Sequence, residues 1–177
     1  AQPTDAVSTD MELRAQYGHD ETEDLRFPPE VVVRPRSTAE VAAVMRLCSR
    51  YQVPVTPIGG RTGLSGGALS VHGGVGLALD RMDRIVDIDE QNLQVTVEPG
   101  VITQRLMDAV AEKGLMYACD PSSKGSCTIG GNIAENAGGP RAFKYGVTRD
   151  YVLGLDATLM GGTPLRLGRR TVKGVAG

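Results

Sequence analysis

Pro57-Ile58-Gly59-Gly60-Arg61-Thr62-Gly63-Leu64-Ser65-Gly66-Gly67 follows directly on the strand-like run Val53 to Pro57. Glycines at this density let consecutive backbone N–H groups turn inward, because no Cβ blocks the approach, and such a concave nest favours an anion. Thr62 and Ser65 add hydroxyl donors, so a pyrophosphate matches the charge the loop would hold. The same residues also suit a glycine-rich hairpin or bulge with no ligand. Two nucleotide-binding loops are excluded by spacing. A Rossmann fingerprint needs GxGxxG opening a helix, and Gly59-Gly60-Arg61-Thr62-Gly63 lacks that spacing and leads into a turn and strand. A Walker A loop needs GxxxxGK followed by Ser or Thr, and the chain has no match.

A second glycine-rich stretch runs from Asp120-Pro121-Ser122-Ser123-Lys124-Gly125 through Thr128-Ile129-Gly130-Gly131-Asn132 to Gly138-Gly139. Thr128 is placed to cap a short helix reaching about Asn136, with Gly138 as its stop. Glycines in the first turn would leave the helix N–H groups open to a phosphate. The competing reading is a tightly packed helix that needs small residues. Glycine is the compositional outlier: 23 of 177 residues, about 13% against roughly 7% in average proteins. Eight lie between Gly59 and Gly76 and six between Gly125 and Gly146. This focus argues against a flexible linker and for backbone held against something.

Outward from the loops, Val31 to Val33 is a β-branched strand stopped by Pro35. Ser37 and Glu40 form a capping box, and Val41, Val44, Met45 and Cys48 recur at helical spacing. With Val53 to Pro57 this makes a strand–helix–strand unit suited to a parallel pair. Gly76 to Asp80, Ile85 to Ile88 and Gln94 to Glu98 are expected strands. Thr103 is expected to cap a helix ending near Lys113 and Gly114. Val152 to Met160 and Pro164 to Leu167 form a hairpin about Gly161-Gly162. Asp5 to Tyr17 is a weak helix. The order predicts an α+β fold.

Composition excludes several classes. The net charge of −2 argues against a nucleic-acid binder. No apolar run approaches the ~20 residues of a membrane span, and the start carries no secretory pattern. Cys48, Cys119 and Cys127 include no CxxC pair, and His19 and His72 lie far from zinc-like spacing, so no metal ligand is named. Reduced thiols suit a cytoplasmic setting.

The loop Pro57 to Gly67, then Val95-Thr96-Val97-Glu98-Pro99-Gly100, Asp120-Pro121-Ser122-Ser123 and Thr128-Ile129-Gly130-Gly131-Asn132, closely resembles the vanillyl-alcohol oxidase and p-cresol methylhydroxylase flavoproteins. Lys144-Tyr145-Gly146-Val147-Thr148-Arg149-Asp150 continues the likeness, which covers about Pro28 to Gly177. The branch is that of D-lactate and D-2-hydroxyglutarate dehydrogenases and the flavin subunit of glycolate oxidase. This resemblance implies a PCMH-type FAD-binding domain of two small α/β lobes, residues 28–90 and 91–177, after a lead-in of residues 1–27. It implies that Pro57, Ile58, Gly59, Gly60, Arg61 and Thr62 cradle the FAD pyrophosphate, continued by Ser65 and Gly66. Pro121, Gly125, Thr128, Gly131, Asn132, Ala134 and Gly138 would line the flavin and ribityl side, with Tyr145, Gly146 and Val152 closing the pocket.

Some relatives attach FAD through a histidine just after the paired glycines; Arg61 stands there, so non-covalent FAD is expected. His19 and His72 are expected in exposed loops. Thr171 to Gly177 resembles the point where relatives continue, so the domain is expected to be incomplete there, before a substrate cap. The implied reaction is oxidation of a D-2-hydroxy acid by hydride transfer to flavin, with an electron-acceptor subunit as a further partner and no catalytic residue in this chain. A non-catalytic flavin scaffold and a flavin reductase of the cell-wall-precursor type are the alternatives. Lys124, Arg141, Lys144 and Arg149 are candidates either to tune the flavin or for the surface.

Overall fold

A computed structural model describes residues 6–168 of the chain. The expectations at Asp5 and at Thr171 to Gly177 lie outside these residues. The first sheet contains β1 (Val7–Ser8), β2 (Val31–Val33), β3 (Val55–Ile58) and β4 (Val75–Ala78), in the order β1-β2-β4-β3. Helix α1 (Met11–Gln16) replaces the longer expected helix, because β1 pairs antiparallel with β2 just before it. Helix α2 (Thr38–Tyr51) connects β2 to β3. Ser37 Oγ accepts the Glu40 N–H at 3.3 Å, while the Glu40 carboxylate accepts from Arg36 N rather than closing the expected box.

The expected parallel unit is present with one correction. β2 and β3 run parallel but do not touch, since β4 lies between them and pairs with both. The physical reason is burial. All four residues of β4 are buried, and an apolar strand satisfies its backbone at least cost in the middle of a parallel sheet. Gly76 lets it lie there, because an added Cβ would come within 2.8 Å of Pro29 Cγ. Tyr17, Val32, Ile58 and Ala78 form the core against this sheet.

The hairpin β5 (Ile85–Asp89) and β6 (Gln94–Val97) leads into α3 (Thr103–Ala111). Then come α4 (Ile129–Glu135), α5 (Ala142–Tyr145), a 3-10 turn over Thr148–Tyr151, and the hairpin β7 (Gly154–Thr158) with β8 (Pro164–Gly168). A second core joins Val101, Leu106, Val110 and Ile129, flanked by Ile85, Val97 and Ile133. The mixed helix and sheet content is the expected α+β fold.

Two local expectations change. Ile102, not Thr103, sits at the N-cap of α3; Thr103 is its first residue and turns its hydroxyl to Cys127. Asn136, in the left-handed conformation at φ 51°, ends α4, so Gly138 is not the stop.

Candidate functional site

The first glycine loop leaves the buried C-terminal end of β3, and its backbone donors face no protein acceptor. Among the described residues, no hydrogen bond is made by the N–H groups of Gly59 through Ser65. The loop is half-buried from Gly59 to Gly63 and exposed at Leu64 and Ser65, so these donors are open to water or to a ligand. Gly59 and Gly60 are required by contact. A Cβ on Gly59 would lie 2.8 Å from Thr128 Oγ1, and one on Gly60 would lie 2.4 Å from the Ser126 carbonyl. The two glycine-rich stretches are therefore pressed against one another.

Arg61 takes φ 58°, and its guanidinium donates to the Gln16 carbonyl while stacking 4.8 Å from the centre of the Tyr17 ring. Its Nε is buried without a partner. Ser65 Oγ donates to Glu135 Oε2 at 2.7 Å, which joins the first loop to the end of α4. Gly66 does not extend the row of free donors, because its N–H is given to Thr22 Oγ1 at 2.8 Å. Pro57 has no N–H to offer, and the Ile58 side chain is fully buried in the first core.

The second stretch behaves differently. α3 and α4 start from a bridge between Ile102 and Thr128, and their first N–H groups are satisfied across it. Thr103 N donates to Cys127 O and Gln104 N to Lys124 O. In return Ile129 N donates to Val101 O, Gly130 N to Pro99 O, and Gly131 N to the capping Thr128 Oγ1. The start of α4 is thus closed to an anion, and its glycines serve packing: a Cβ on Gly130 would meet Pro99 Cβ at 2.7 Å. Asn132 is buried and donates to Thr103 Oγ1 at 2.7 Å. Pro121 is buried, whereas Gly125 and Ala134 are exposed.

The cleft at the junction has a volume of about 350 Å³ and is lined by Gly59, Gly60, Arg61 and Thr128 together with Tyr17, Asp80, Asp83, Gly100, Ile102, Arg105 and Ser126. Tyr17, Asp80, Asp83 and Arg105 carry no motif, and only the fold brings them here. Tyr17 OH donates to Asp80 Oδ2 at 3.0 Å, and burial followed by the Asp80 charge pushes the phenol up from its usual range. Arg34 completes the pair with Asp80 at 2.7 Å, and Arg105 binds Asp83 at 3.0 Å.

Gly138, Tyr145 and Gly146 lie around α5, where a Cβ on Gly138 would touch Val147 and Ala142. Val152 lines a separate apolar cleft of about 230 Å³ with Leu153, Leu155 and Leu167. Of the basic candidates, Lys124 and Arg141 both bind Asp120, at 2.6 and 3.2 Å. Lys144 lies 4.8 Å from the Tyr145 ring, and Arg149 is largely exposed. His72 is exposed, while His19 is half-buried. No His, Cys, Asp or Glu cluster among the described residues forms a metal site, and no helix among them is long and apolar enough to cross a membrane. The unpaired N–H groups of Gly59 to Ser65, the close-packed Gly59 and Gly60 and the adjacent positive Arg61 fit a diphosphate.

The family model described as FAD binding domain matches residues 29–168. Glycolate oxidase subunit GlcD of Bacillus subtilis is 47% identical over 93% of this chain and 35% of its own length. D-lactate dehydrogenase of Anaerostipes hadrus is 44% identical over 94% of this chain and 35% of its own length. D-2-hydroxyglutarate dehydrogenase of Xanthomonas citri is 39% identical over 100% of this chain and 38% of its own length. The chain therefore spans about a third of the length of these curated relatives. Among solved structures, p-cresol methylhydroxylase superposes with a TM-score of 0.79 at 26% identity, over 92% of this chain and 32% of that one. Alkyldihydroxyacetonephosphate synthase, at 22% identity and a TM-score of 0.84 over 93% of this chain and 32% of that one, shares the fold. By its loops, its fold and these relatives, the chain belongs to the FAD-binding domain family of the vanillyl-alcohol oxidase and p-cresol methylhydroxylase flavoproteins, in the branch of glycolate oxidase flavin subunits, D-lactate dehydrogenases and D-2-hydroxyglutarate dehydrogenases.

Proposed function

We propose that this chain holds the FAD of an oxidoreductase acting on a D-2-hydroxy acid of the D-lactate, glycolate or 2-hydroxyglutarate type. The observation that carries the reading is the unbroken row of free N–H donors from Gly59 to Ser65, seated against the second glycine stretch. Bound FAD supplies the hydride acceptor. The chain's own part is to fix it. Gly59, Gly60, Arg61, Thr62 and Ser65 hold the pyrophosphate, while Pro57, Ile58 and Gly66 set the loop's path. Pro121, Gly125, Thr128, Gly131, Asn132, Ala134 and Gly138 form the flavin and ribityl side, closed by Tyr145, Gly146 and Val152. Binding is non-covalent, since Arg61 offers no nucleophilic ring nitrogen at the attachment position.

The same proposal divides the chain into the lead-in 1–27 and lobes 28–90 and 91–177, and assigns no catalytic base to it. The hydroxy acid is gripped by a cap outside this chain, and electrons leave to an acceptor subunit, as the word "subunit" in the name of the glycolate oxidase relative suggests. A cytoplasmic location accords with three buried, free thiols. The test is anaerobic mixing of the full-length flavoprotein with D-lactate, glycolate and D-2-hydroxyglutarate while flavin absorbance is followed. Bleaching by one of them is expected. Bleaching only by a reduced nicotinamide, with all three acids inert, overturns the proposal.

A further inference from the structure

We infer that residues 16–22, outside both proposed lobes, are a strap that holds the anion nest in its binding shape, with Thr22 and Tyr17 as its positioning residues. The inference rests on the FAD reading above and adds to it a segment that neither the glycine motifs nor the matched family range of residues 29–168 includes.

Four contacts tie the strap to the nest at three points along it. Glu21 N donates to Gly63 O at 3.1 Å, and Thr22 Oγ1 accepts the Gly66 N–H at 2.8 Å. The Gln16 carbonyl accepts from the Arg61 guanidinium, which also stacks on the Tyr17 ring. Three of the four fall at the two residues where the loop is conformationally unusual, Arg61 at φ 58° and Gly66 at φ 74°, and the fourth at Gly63 between them. A left-handed non-glycine residue persists only when its surroundings over-determine it. Here the strap does so for Arg61 from two sides.

The strap is itself rigidly held. The Tyr17 ring is part of the first core with Val32, Ile58 and Ala78, and its hydroxyl is fixed to Asp80. Phe27 N donates to Gly18 O at 2.7 Å, which closes the return of the chain, and a Cβ on Gly18 would strike Pro28 Cα at 2.6 Å. Thr22 is oriented by its own N–H, given to the buried Asp20 at 2.9 Å. The nest therefore presents its donors from a loop clamped at both ends, and ordering is settled before the ligand arrives. Preorganisation of this kind raises affinity by removing the cost of ordering on binding.

The test uses the full-length protein stripped of flavin, with Thr22→Val and Thr22→Ser, and with FAD, ADP and riboflavin as probes. Thr22→Val is expected to weaken FAD and ADP by the same factor, about fivefold, the weight of one ordinary hydrogen bond. Riboflavin, which carries no phosphate, keeps its affinity, and Thr22→Ser restores FAD and ADP. Equal weakening of riboflavin would mark Thr22 as a general structural residue and overturn the inference, as would unchanged FAD affinity in Thr22→Val. Amide exchange of the unmutated protein separates the two levels of argument. FAD-dependent protection of residues 59–65 supports the nest, so that an inert Thr22→Val then sinks the strap alone. Absence of that protection sinks the nest reading and the strap with it.

Discussion

Arg61 carries two consequences at the scale of a single residue. The family resemblance implies that it stands where some relatives attach FAD through a histidine, and its own backbone is left-handed, at φ 58°. Acid precipitation of the FAD-loaded protein is expected to leave all flavin in the supernatant; yellow pellets would contradict non-covalent binding. Thr103 is the second instructive residue. It is fully buried, donates to Cys127 O at 3.3 Å and accepts from Asn132 Nδ2 at 2.7 Å. Thr103→Val keeps the shape but leaves the Asn132 amide without an acceptor, which costs about 1–3 kcal/mol. Urea unfolding measures this, and Thr103→Ser should recover most of it. An unchanged midpoint would show that Asn132 has another outlet.

At the scale of elements, α3 and α4 use one another's flanking carbonyls in place of phosphate. This separates glycines that bare backbone from glycines that admit a neighbour. Gly130 belongs to the second kind, since its space is filled by Pro99 Cβ at 2.7 Å and Pro99 O at 3.0 Å. In an isolated helix Gly→Ala is favourable by about 1 kcal/mol. Gly130→Ala is nevertheless expected to destabilise the protein by about 1–3 kcal/mol, because the clash is with backbone that cannot swing away. Gly125 meets nothing within 4 Å, so Gly125→Ala should stay within about 0.5 kcal/mol. Paired denaturant melts check the contrast; equal stabilities of the two variants would refute the packing account.

For the whole molecule, ion pairs and buried hydroxyls and thiols bound the pH range of stability. A hydrogen bond from Lys124, with the charges of Lys124 and Arg141, holds the Asp120 carboxyl below its usual range. Arg84 does the same for Glu98, and Arg166 for Asp156. A depressed folded value means that this stability is complete above the ordinary carboxylate range and is lost as pH falls through the folded value. Burial raises Cys48 and Cys119, and most of all Tyr117, so that stability is complete below their ordinary values and declines as pH rises through the folded ones. Melting temperature against pH should therefore form a plateau with two falling limbs. Asp120→Asn should flatten the acid limb, and an unaltered acid limb in that variant would exclude Asp120 from it. The order of the elements from β2 to α4, the β7–β8 hairpin, the strand–loop character of residues 55–67, the Thr128 cap and the flavoprotein likeness were legible in the linear chain, whereas β1, α5 and the 3-10 turn were not. The legible features depend on local causes: side chains absent at Gly59 and Gly60, β-branching at Val31 to Val33, and motif spacing. Only the tertiary structure decided that β4 separates β2 from β3, that the start of α4 is closed by Pro99 and Val101, and that Tyr17 and Thr22 meet Arg61 and Gly66 of the first glycine loop. Each of these rests on hydrogen bonds and burial between residues distant in sequence, and neither periodicity nor composition encodes which remote carbonyl or hydroxyl will fill a given place.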